Sequence, residues 1–328
     1  MTAALFMLSA CTKEHTVSQE GLEATIMIST GTRAAMDDDE DSYINSLRIL
    51  GYYSSTGKLA FNETVTVANN SKEVKKTITV KTGNFTIVAI ANEHSDGATP
   101  ADLSALLDKI TTSDANTNTM TYIKGLSFSH DAFSSTKDIP MFLAKENIAI
   151  YGDDNMADNG VACTTLPVLL ERLGVRIDLT LKLFDVQSTA WQSDAGTHNG
   201  KVYFNNVPDK VYLFPGTDNS GSLLTGNEKF VTPVAAPDEA GKKIFKSLRI
   251  ILPESCLNSL TAAQGLTIEL YEGTALRKGV LSTGTGANGY TLSRNSYFGV
   301  DTEIGEISLT FDVNVMDWED KDMNHELQ

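Results

Sequence analysis

The residues that could do chemistry are few and widely spaced in this chain. Of 328 residues, three are cysteines and five are histidines, and the cysteines at 11, 163 and 256 form no Cys-x-x-Cys pair. Zinc sites and redox motifs need such close spacing. The chain also contains no His-Glu-x-x-His and no Gly-x-Ser-x-Gly motif. The sequence therefore indicates no catalytic residue, metal ligand or cofactor, and we expect a protein that is not an enzyme.

One glycine-rich stretch satisfies the Gly-x-Gly-x-x-Gly pattern of dinucleotide sites. It spans residues 284–289 and is followed by YTLSRNSYF, an alternating stretch that predicts a strand. A dinucleotide site needs this loop to open a helix, so we predict a hairpin loop instead. The acidic segments 37–41 and 152–160 lack the ligand spacing of a calcium loop and are interpreted as solvated loops.

The overall charge excludes two classes of partner. Lys and Arg number 26 against 42 Asp and Glu, which gives a formal net charge of −16. Nucleic-acid binding relies on clustered cations that release counterions. Electrostatic adhesion to anionic lipid needs the same basic clusters. We therefore expect no nucleic-acid partner and no attachment to a membrane through surface charge.

Cys11 has a context that predicts a covalent tether rather than catalysis. Residues 1–10 are mostly apolar but far shorter than the ~20 residues that span a bilayer. They indicate the end of a secretory leader, and Leu8-Ser9-Ala10-Cys11 resembles the lipobox of bacterial lipoproteins. No Lys or Arg precedes the run, so we expect the true leader to begin further upstream. Cys11 is the predicted lipidation site, and Cys163 and Cys256 are either small core residues or disulfide partners.

The elements that must position these residues are predominantly strands. Short alternating runs rich in β-branched residues recur from residue 22 to residue 318, separated by turn signals, with one amphipathic helix after Pro100. This rhythm predicts an all-β fold of two tandem β-sandwich domains with minor short helices. The predicted division is a leader and tether at 1–20, an N-terminal domain at 21–163 and a C-terminal domain at 164–328.

Several strand sequences are similar to those of one known family. They include SLRILGYYSSTGKL (46–59), GNFTIVAIAN (83–92), LLERLGVRIDLTL (169–181), VYFNNVPDKVYLFP (202–215) and FDVNVMDWED (311–320). In words and order they resemble the fimbrillins, the type V pilus subunits of Bacteroidales. The resemblance implies transthyretin-like sandwiches and export as a lipoprotein. It also implies that an arginine-specific protease at the cell surface removes the first strand, and that a strand of the next subunit fills the vacated groove.

The sequence places matching segments where this resemblance needs them. The stretch LEATIMIS is the predicted removable strand, and Arg33, followed by Ala34, is the predicted cleavage point within a turn formed by residues 30–35. An acidic run follows and is expected to keep the site extended. The apolar face of the removable strand is assigned to Leu22, Ala24, Ile26 and Ile28.

The donor strand is harder to place. After Trp318 the chain has only Met323 and Leu327 as apolar residues, and two buried side chains would contribute only ~3–6 kcal/mol. The alternating stretch ISLTFDVNVMDW is the better candidate. Its apolar positions are Leu309, Phe311, Val313, Val315 and Trp318.

The resemblance therefore favours a structural subunit of a cell-surface fimbria at the outer membrane, supporting adhesion. Its expected partners are other pilin subunits, the processing protease and, before cleavage, the outer membrane through the lipid. A weak donor leaves three alternatives: a tip subunit, a lipid-retained anchor, or a monomeric surface lipoprotein that binds glycan or a host protein.

Overall fold

Two β-sandwiches make up most of the described chain. The structure, a computed structural model, describes residues 22–32, 42–93, 101–133, 138–152, 155–184, 201–216, 223–230, 234–239, 242–255, 261–272, 275–282, 289–304 and 309–317. Strands dominate these residues and the helices are short, so the predicted all-β fold of two sandwich domains is confirmed. No helix among the described residues is long and apolar enough to cross a membrane.

The N-terminal sandwich is one sheet folded over on itself. Its first layer has the order β3-β2-β5-β7, extended by β8 and β9, and its second layer has the order β10-β1-β4. The layers join where β7 pairs briefly with β10. The strands are β1 Glu23–Thr32, β2 Leu47–Tyr53, β3 Leu59–Val65, β4 Glu73–Lys81, β5 Gly83–Ala91, β6 Ser127–Ser129, β7 Met141–Ile150, β8 Met156–Asp158, β9 Val161–Cys163 and β10 Thr165–Arg172.

One apolar core fills the space between these two layers. Ile26 of β1, Ile49 of β2 and Phe85 of β5 all belong to it and are at most 1% exposed. Strand alternation explains this, because every second side chain of each strand points to the facing layer. β5 is buried on both faces, since its other face packs beneath the helices.

The outer face of the first layer is covered by short helices. They are α1 Ala101–Asp108, α2 Met120–Lys124 and a 3₁₀ turn at His130–Phe133. Arg48 of β2 is buried and pairs with Glu93 at 2.8 Å and with Asp108 of α1 at 2.6 Å. The charge-assisted pair ties α1 to the sheet, and Thr119 caps α2 by accepting from the Tyr122 N–H.

The C-terminal sandwich consists of two separate sheets around a second core. One sheet has the order β17-β18-β11-β21-β22 and the other the order β16-β12-β19-β20, with β13 and β15 forming a small ribbon. The strands are β11 Gly174–Phe184, β12 Lys201–Asn205, β13 Val207–Pro208, β14 Lys210–Tyr212, β15 Leu223–Leu224, β16 Asn227–Phe230, β17 Val234–Glu239, β18 Lys242–Pro253, β19 Thr267–Glu272, β20 Ala275–Val280, β21 Ser296–Ile304 and β22 Leu309–Asp317.

A third core joins the two sandwiches. It contains residues of the first layer, of the helices and of the C-terminal half, with the fully buried Leu173 between them. β6 pairs with β14 across the junction. The Arg294 guanidinium binds the Glu254 carboxylate and donates to the Leu213 carbonyl at 2.9 Å. The two domains therefore pack through a substantial apolar contact rather than a bare linker.

The domain boundary expected after residue 163 separates β10 from the sheet in which it pairs. β10 is hydrogen-bonded to β1 and β7, whereas β11 pairs with β18 and β21. At the start of β11 the chain passes close to its neighbours, since a Cβ on Gly174 would lie 2.8 Å from Ile251 and 3.0 Å from Phe133. We therefore propose that the boundary lies at Leu173.

Candidate functional site: the slot of the first strand

The candidate site is the slot between β4 and β10, which β1 fills. β1 pairs antiparallel with β4 from Glu23–Lys81 to Gly31–Glu73, and parallel with β10 from Met27–Thr165 to Thr32–Leu170. The strand that comes first in the chain is thus an interior strand of its layer. Both its neighbours would expose unpaired backbone groups if it left.

The side chains of β1 alternate between the core and the solvent. Ala24, Ile26 and Ile28 are at most 1% exposed and contribute to the core between the layers. These three residues of the predicted apolar face therefore lie on one buried face. Leu22 precedes β1 and is 47% exposed, so it adds little to that face.

The slot without β1 would be an apolar furrow between two open edges. Ile78 and Val80 line it from β4, and Leu166, Val168 and Leu170 line it from β10, each buried against the same core. Such a furrow can accept an extended chain by β-augmentation, because the edges supply backbone hydrogen bonds and the pockets select alternate side chains.

The turn predicted for residues 30–35 is wrong for residues 30–32, and residues 33–35 lie outside the described residues. All three residues from Thr30 to Thr32 belong to β1; Thr30 and Gly31 pair with both neighbours, and Thr32 pairs with β10. Local Gly and Thr signals favour a turn, but pairing with two flanking strands overrides them. The alternation of Ile28, Thr30 and Thr32, all β-branched, is the signal that could have extended the predicted strand.

Two buried hydroxyls at this end are unsatisfied. Thr30 is fully buried, and its Cα partners are Val74 on β4 and Val168 on β10. Among the residues that the structure describes, the Oγ1 atoms of Thr30 and Thr32 have no hydrogen-bond partner. Sequence reasoning did not single out these residues, because a threonine in a strand has no pattern that distinguishes a satisfied hydroxyl from an unsatisfied one.

The solvent face of β1 carries a polar link to β4. The Ser29 hydroxyl donates to the Glu73 carboxylate at 2.7 Å, and Lys75 lies 3.2 Å from the same oxygen. The Ser29 hydrogen bond and the Lys75 ammonium lower the pKa of Glu73 below its ordinary value. At the other end of the slot, Glu23 lines an open cavity of about 440 Å³ together with Tyr53, Leu59 and Lys81.

The predicted donor strand occupies an edge of the C-terminal sandwich. β22 pairs with β21 from Ser296–Asp317 to Ile304–Leu309 and forms the end of its sheet. Phe311 and Val313 pack against the C-terminal core but are only partly buried, and Val315 is 44% exposed. Leu309 begins the strand, and Trp318 lies outside the described residues.

Several other predicted features also lie outside the described residues. They are Cys11, Arg33, Ala34, Cys256 and the glycines from 284 to 288. Within the described ranges no group of three or more His, Cys, Asp or Glu side chains could hold a metal ion. Cys163 is a free thiol on β9, and burial raises its pKa.

The part of the chain that contains the slot matches the model of a known family. Residues 23–172 match the family model described as major fimbrial subunit protein (FimA). This match begins at the first residue of β1 and ends at the last residue of β10, so it spans the N-terminal sandwich with its first strand in place. A search of curated proteins finds no significant match to the chain.

Solved structures share the fold over nearly the whole chain. The tip fimbrial protein Mfa3 of Porphyromonas gingivalis, with a C-terminal truncation, is 13% identical with a TM-score of 0.60, covering 90% of this chain and 100% of that one. A putative cell adhesion protein of Parabacteroides distasonis is 17% identical with a TM-score of 0.55, covering 91% and 98%. A fimbrilin of P. gingivalis is 13% identical with a TM-score of 0.51, covering 92% and 99%.

At these identities the solved structures show the fold alone, and the family model shows a similarity that is confined to residues 23–172. The predicted resemblance to fimbrillins is thereby confirmed. Residues 23–172 of this chain are thus similar to the major fimbrial subunit (FimA) family, and the chain has the fold of solved bacterial fimbrial proteins.

Proposed function

We propose that this protein is a subunit of a cell-surface fimbria that is assembled by strand exchange at the β1 slot. The observation that carries the proposal is the position of β1. It is an interior strand of the sandwich that matches the family model, and it adjoins the predicted protease site. Cleavage after Arg33 would detach β1 from the rest of the chain. The slot between β4 and β10 would then receive an extended strand of a neighbouring subunit.

The export route belongs to the same proposal. A lipid on Cys11 would hold the precursor at the outer membrane before cleavage. Because Cys11 and β1 lie on the same side of Arg33, a cut there would separate the lipid from the mature protein. A subunit that is left uncut would stay anchored, so processing at one residue would decide between the membrane and the fimbria.

The supply of the donor strand is the second part of the proposal. β22 alternates well and lies at a sheet edge, so it would give up one ladder, the one with β21, on leaving. Its apolar residues Phe311 and Val313 are only partly buried in their own domain and would be fully covered in a neighbour's slot. A second copy of this chain, or a related subunit, would receive it.

One observation favours a second candidate, a terminal subunit that accepts a strand and donates none. β22 is paired along its length within its own domain, and Phe311 and Val313 contact its own core. If β22 remains paired with β21, the slot of β1 is the assembly site that this proposal leaves to the chain. The chain would then end a fimbria rather than extend it.

The experiment is limited digestion of the full chain with an arginine-specific protease, followed by sequencing of the new N-terminus and denaturing gels without boiling. We expect an N-terminus at Ala34 and a ladder of oligomers. Arg33→Lys is the matched control, because it keeps the charge but removes the cleavage site, and it should give neither product. A cut protein that caps a related fimbrillin but forms no ladder alone identifies the terminal subunit. An uncut 30–36 region contradicts the proposal.

A further inference from the structure

The side chains of β1 fit their slot unevenly. From Ala24 to Ile28 the inward positions are apolar and almost fully buried. At Thr30 and Thr32 they are hydroxyls without a hydrogen-bond partner among the described residues, although Thr30 pairs with both β4 and β10 and Thr32 pairs with β10. The backbone ladder therefore continues through this segment, whereas its inward side chains fit the slot less well than those from Ala24 to Ile28.

Gly31 weakens the same segment further. A Cβ at Gly31 would lie 3.7 Å from the nearest atom, the Lys72 carbonyl oxygen, and 3.9 Å from Leu169, which is ordinary contact. The backbone there does not have the positive φ that calls for glycine. The glycine thus meets no steric need, and within a strand it offers no side chain to pack.

Backbone hydrogen bonds do not distinguish β1 from a strand that replaces it, because either strand makes the same ladder with β4 and β10. The preference of the slot for one strand over another lies in the side chains. Each buried hydroxyl without a partner weakens binding of its strand by about tenfold relative to an apolar group of the same shape.

We propose that Thr30 and Thr32 make β1 a replaceable occupant, and that the strand arriving from a second subunit carries apolar side chains at these two slot positions. The inference rests on the proposed strand exchange. It adds a selection rule. The slot positions of Thr30 and Thr32, flanked by Val74, Val168 and Leu170, bind apolar side chains better than hydroxyls and therefore favour the incoming strand over β1.

The first test uses the uncut full chain and does not depend on cleavage. Thr30→Val should raise the midpoint of thermal unfolding by about 2–4 °C, because it removes the unsatisfied hydroxyl at nearly constant shape. Met27→Leu, on the solvent face of β1, should leave the midpoint unchanged. An unchanged or lower midpoint for Thr30→Val overturns the inference.

The second test measures exchange directly. The chain is cut after Arg33, and synthetic peptides of residues 22–32 compete for the slot, with release of the original β1 followed by mass spectrometry. A peptide with valine at positions 30 and 32 should displace β1 at concentrations at least tenfold lower than the unaltered peptide. A peptide with leucine at position 27, on the solvent face, should match the unaltered one. Equal competition by all three overturns the inference.

A control in the other domain separates exchange from general stability. Thr302 of β21 is also fully buried with an unsatisfied hydroxyl, but its strand is not replaced. Thr302→Val should stabilise the chain as Thr30→Val does, without changing the release of β1.

The outcomes distinguish failure of the selection rule from failure of assembly. If Thr30→Val slows release but no oligomers form from the unaltered protein, assembly by exchange fails and the selection rule stands. If the unaltered protein assembles and Thr30→Val releases β1 equally fast, the rule fails and the assembly stands.

Discussion

β1 and β11 occupy equivalent places in their sandwiches but are held very differently. Each comes first in the chain among the strands of its sheet, and each lies between an antiparallel neighbour and a parallel one: β4 and β10 for β1, β18 and β21 for β11. Both strands are paired on both sides. The topology alone therefore does not decide whether a first strand is permanent.

The side chains make the difference. The inward residues of β11 are Val175, Ile177, Leu179 and Leu181, all at most 1% exposed. Those of β1 end in the hydroxyls of Thr30 and Thr32. β11 also carries a buried arginine, whereas the one charged residue of β1, Glu23, is exposed. A permanent strand and a replaceable one can thus share a topology and differ only in how well their side chains fit.

The largest expected effect comes from truncating one core residue in each strand. Ile28→Ala and Leu179→Ala should each lower the free energy of unfolding of their own sandwich by about 4 kcal/mol in the uncut chain. After cleavage at Arg33, only Ile28→Ala should speed the loss of β1, because β11 remains in the continuous chain. Denaturant unfolding and size-exclusion chromatography of the cut protein measure the two quantities. Equal loss of β1 in both variants would contradict the comparison.

The next effect concerns the buried arginine that β1 lacks. Arg176 is fully buried, lies 3.3 Å from the Asp178 carboxylate and stacks over the Tyr297 ring at 5.7 Å. Arg176→Ala should destabilise the C-terminal sandwich by about 3 kcal/mol, because removing one partner leaves a carboxylate without its closest counter-charge. Calorimetry of the full chain measures this, with the release of β1 after cleavage as the unaffected control. A loss below the error of the measurement would show that Arg249, 3.8 Å from Asp178, suffices.

How much of this difference could be predicted from sequence depends on the range of the interaction. Alternation is local, so the strands and the buried face at Ala24, Ile26 and Ile28 followed from it. The parallel pairing of Met27 with Thr165 joins residues far apart in the chain, and no local pattern encodes it. The same limit explains why residues 30–32 were assigned to a turn and β10 to the second domain.

The candidate donor strand shows the same limit of local patterns, because its alternation predicts a strand but not the strand with which it pairs. The alternation of Phe311, Val313 and Val315 predicts a strand with one apolar face, and β22 is such a strand. Alternation does not say which sheet the strand joins, because any apolar furrow with an open edge would accept it. Its pairing with β21 became visible only in three dimensions.

A smaller effect is a pH dependence of stability that comes from β21, the parallel neighbour of β11. Burial, and then the Asp178 carboxylate, raise the pKa of Tyr297 on β21 from 10.0 to about 12. The neutral phenol is thus favoured in the folded state, so its contribution is complete below pH 10 and is lost as the pH rises through about 12. Unfolding midpoints across this range should fall more steeply for the unaltered protein than for Tyr297→Phe. Parallel curves would mean that the phenol titrates alike in both states.

The smallest expected effect reports directly on whether β1 is in place. The Ser29 hydroxyl, first, and then Lys75 lower the pKa of the exposed Glu73 below 4.5. Ionised Glu73 therefore contributes stability above that pH, and the contribution is lost as the pH falls through the lowered pKa. Ser29→Ala should move the Glu73 pKa back toward 4.5, and loss of β1 after cleavage should do the same, because both remove the hydroxyl. Carboxyl NMR titration measures each shift. An arriving strand without a hydroxyl at this position should leave the pKa where Ser29→Ala places it, whereas β1 that has merely been cut and retained should keep it low.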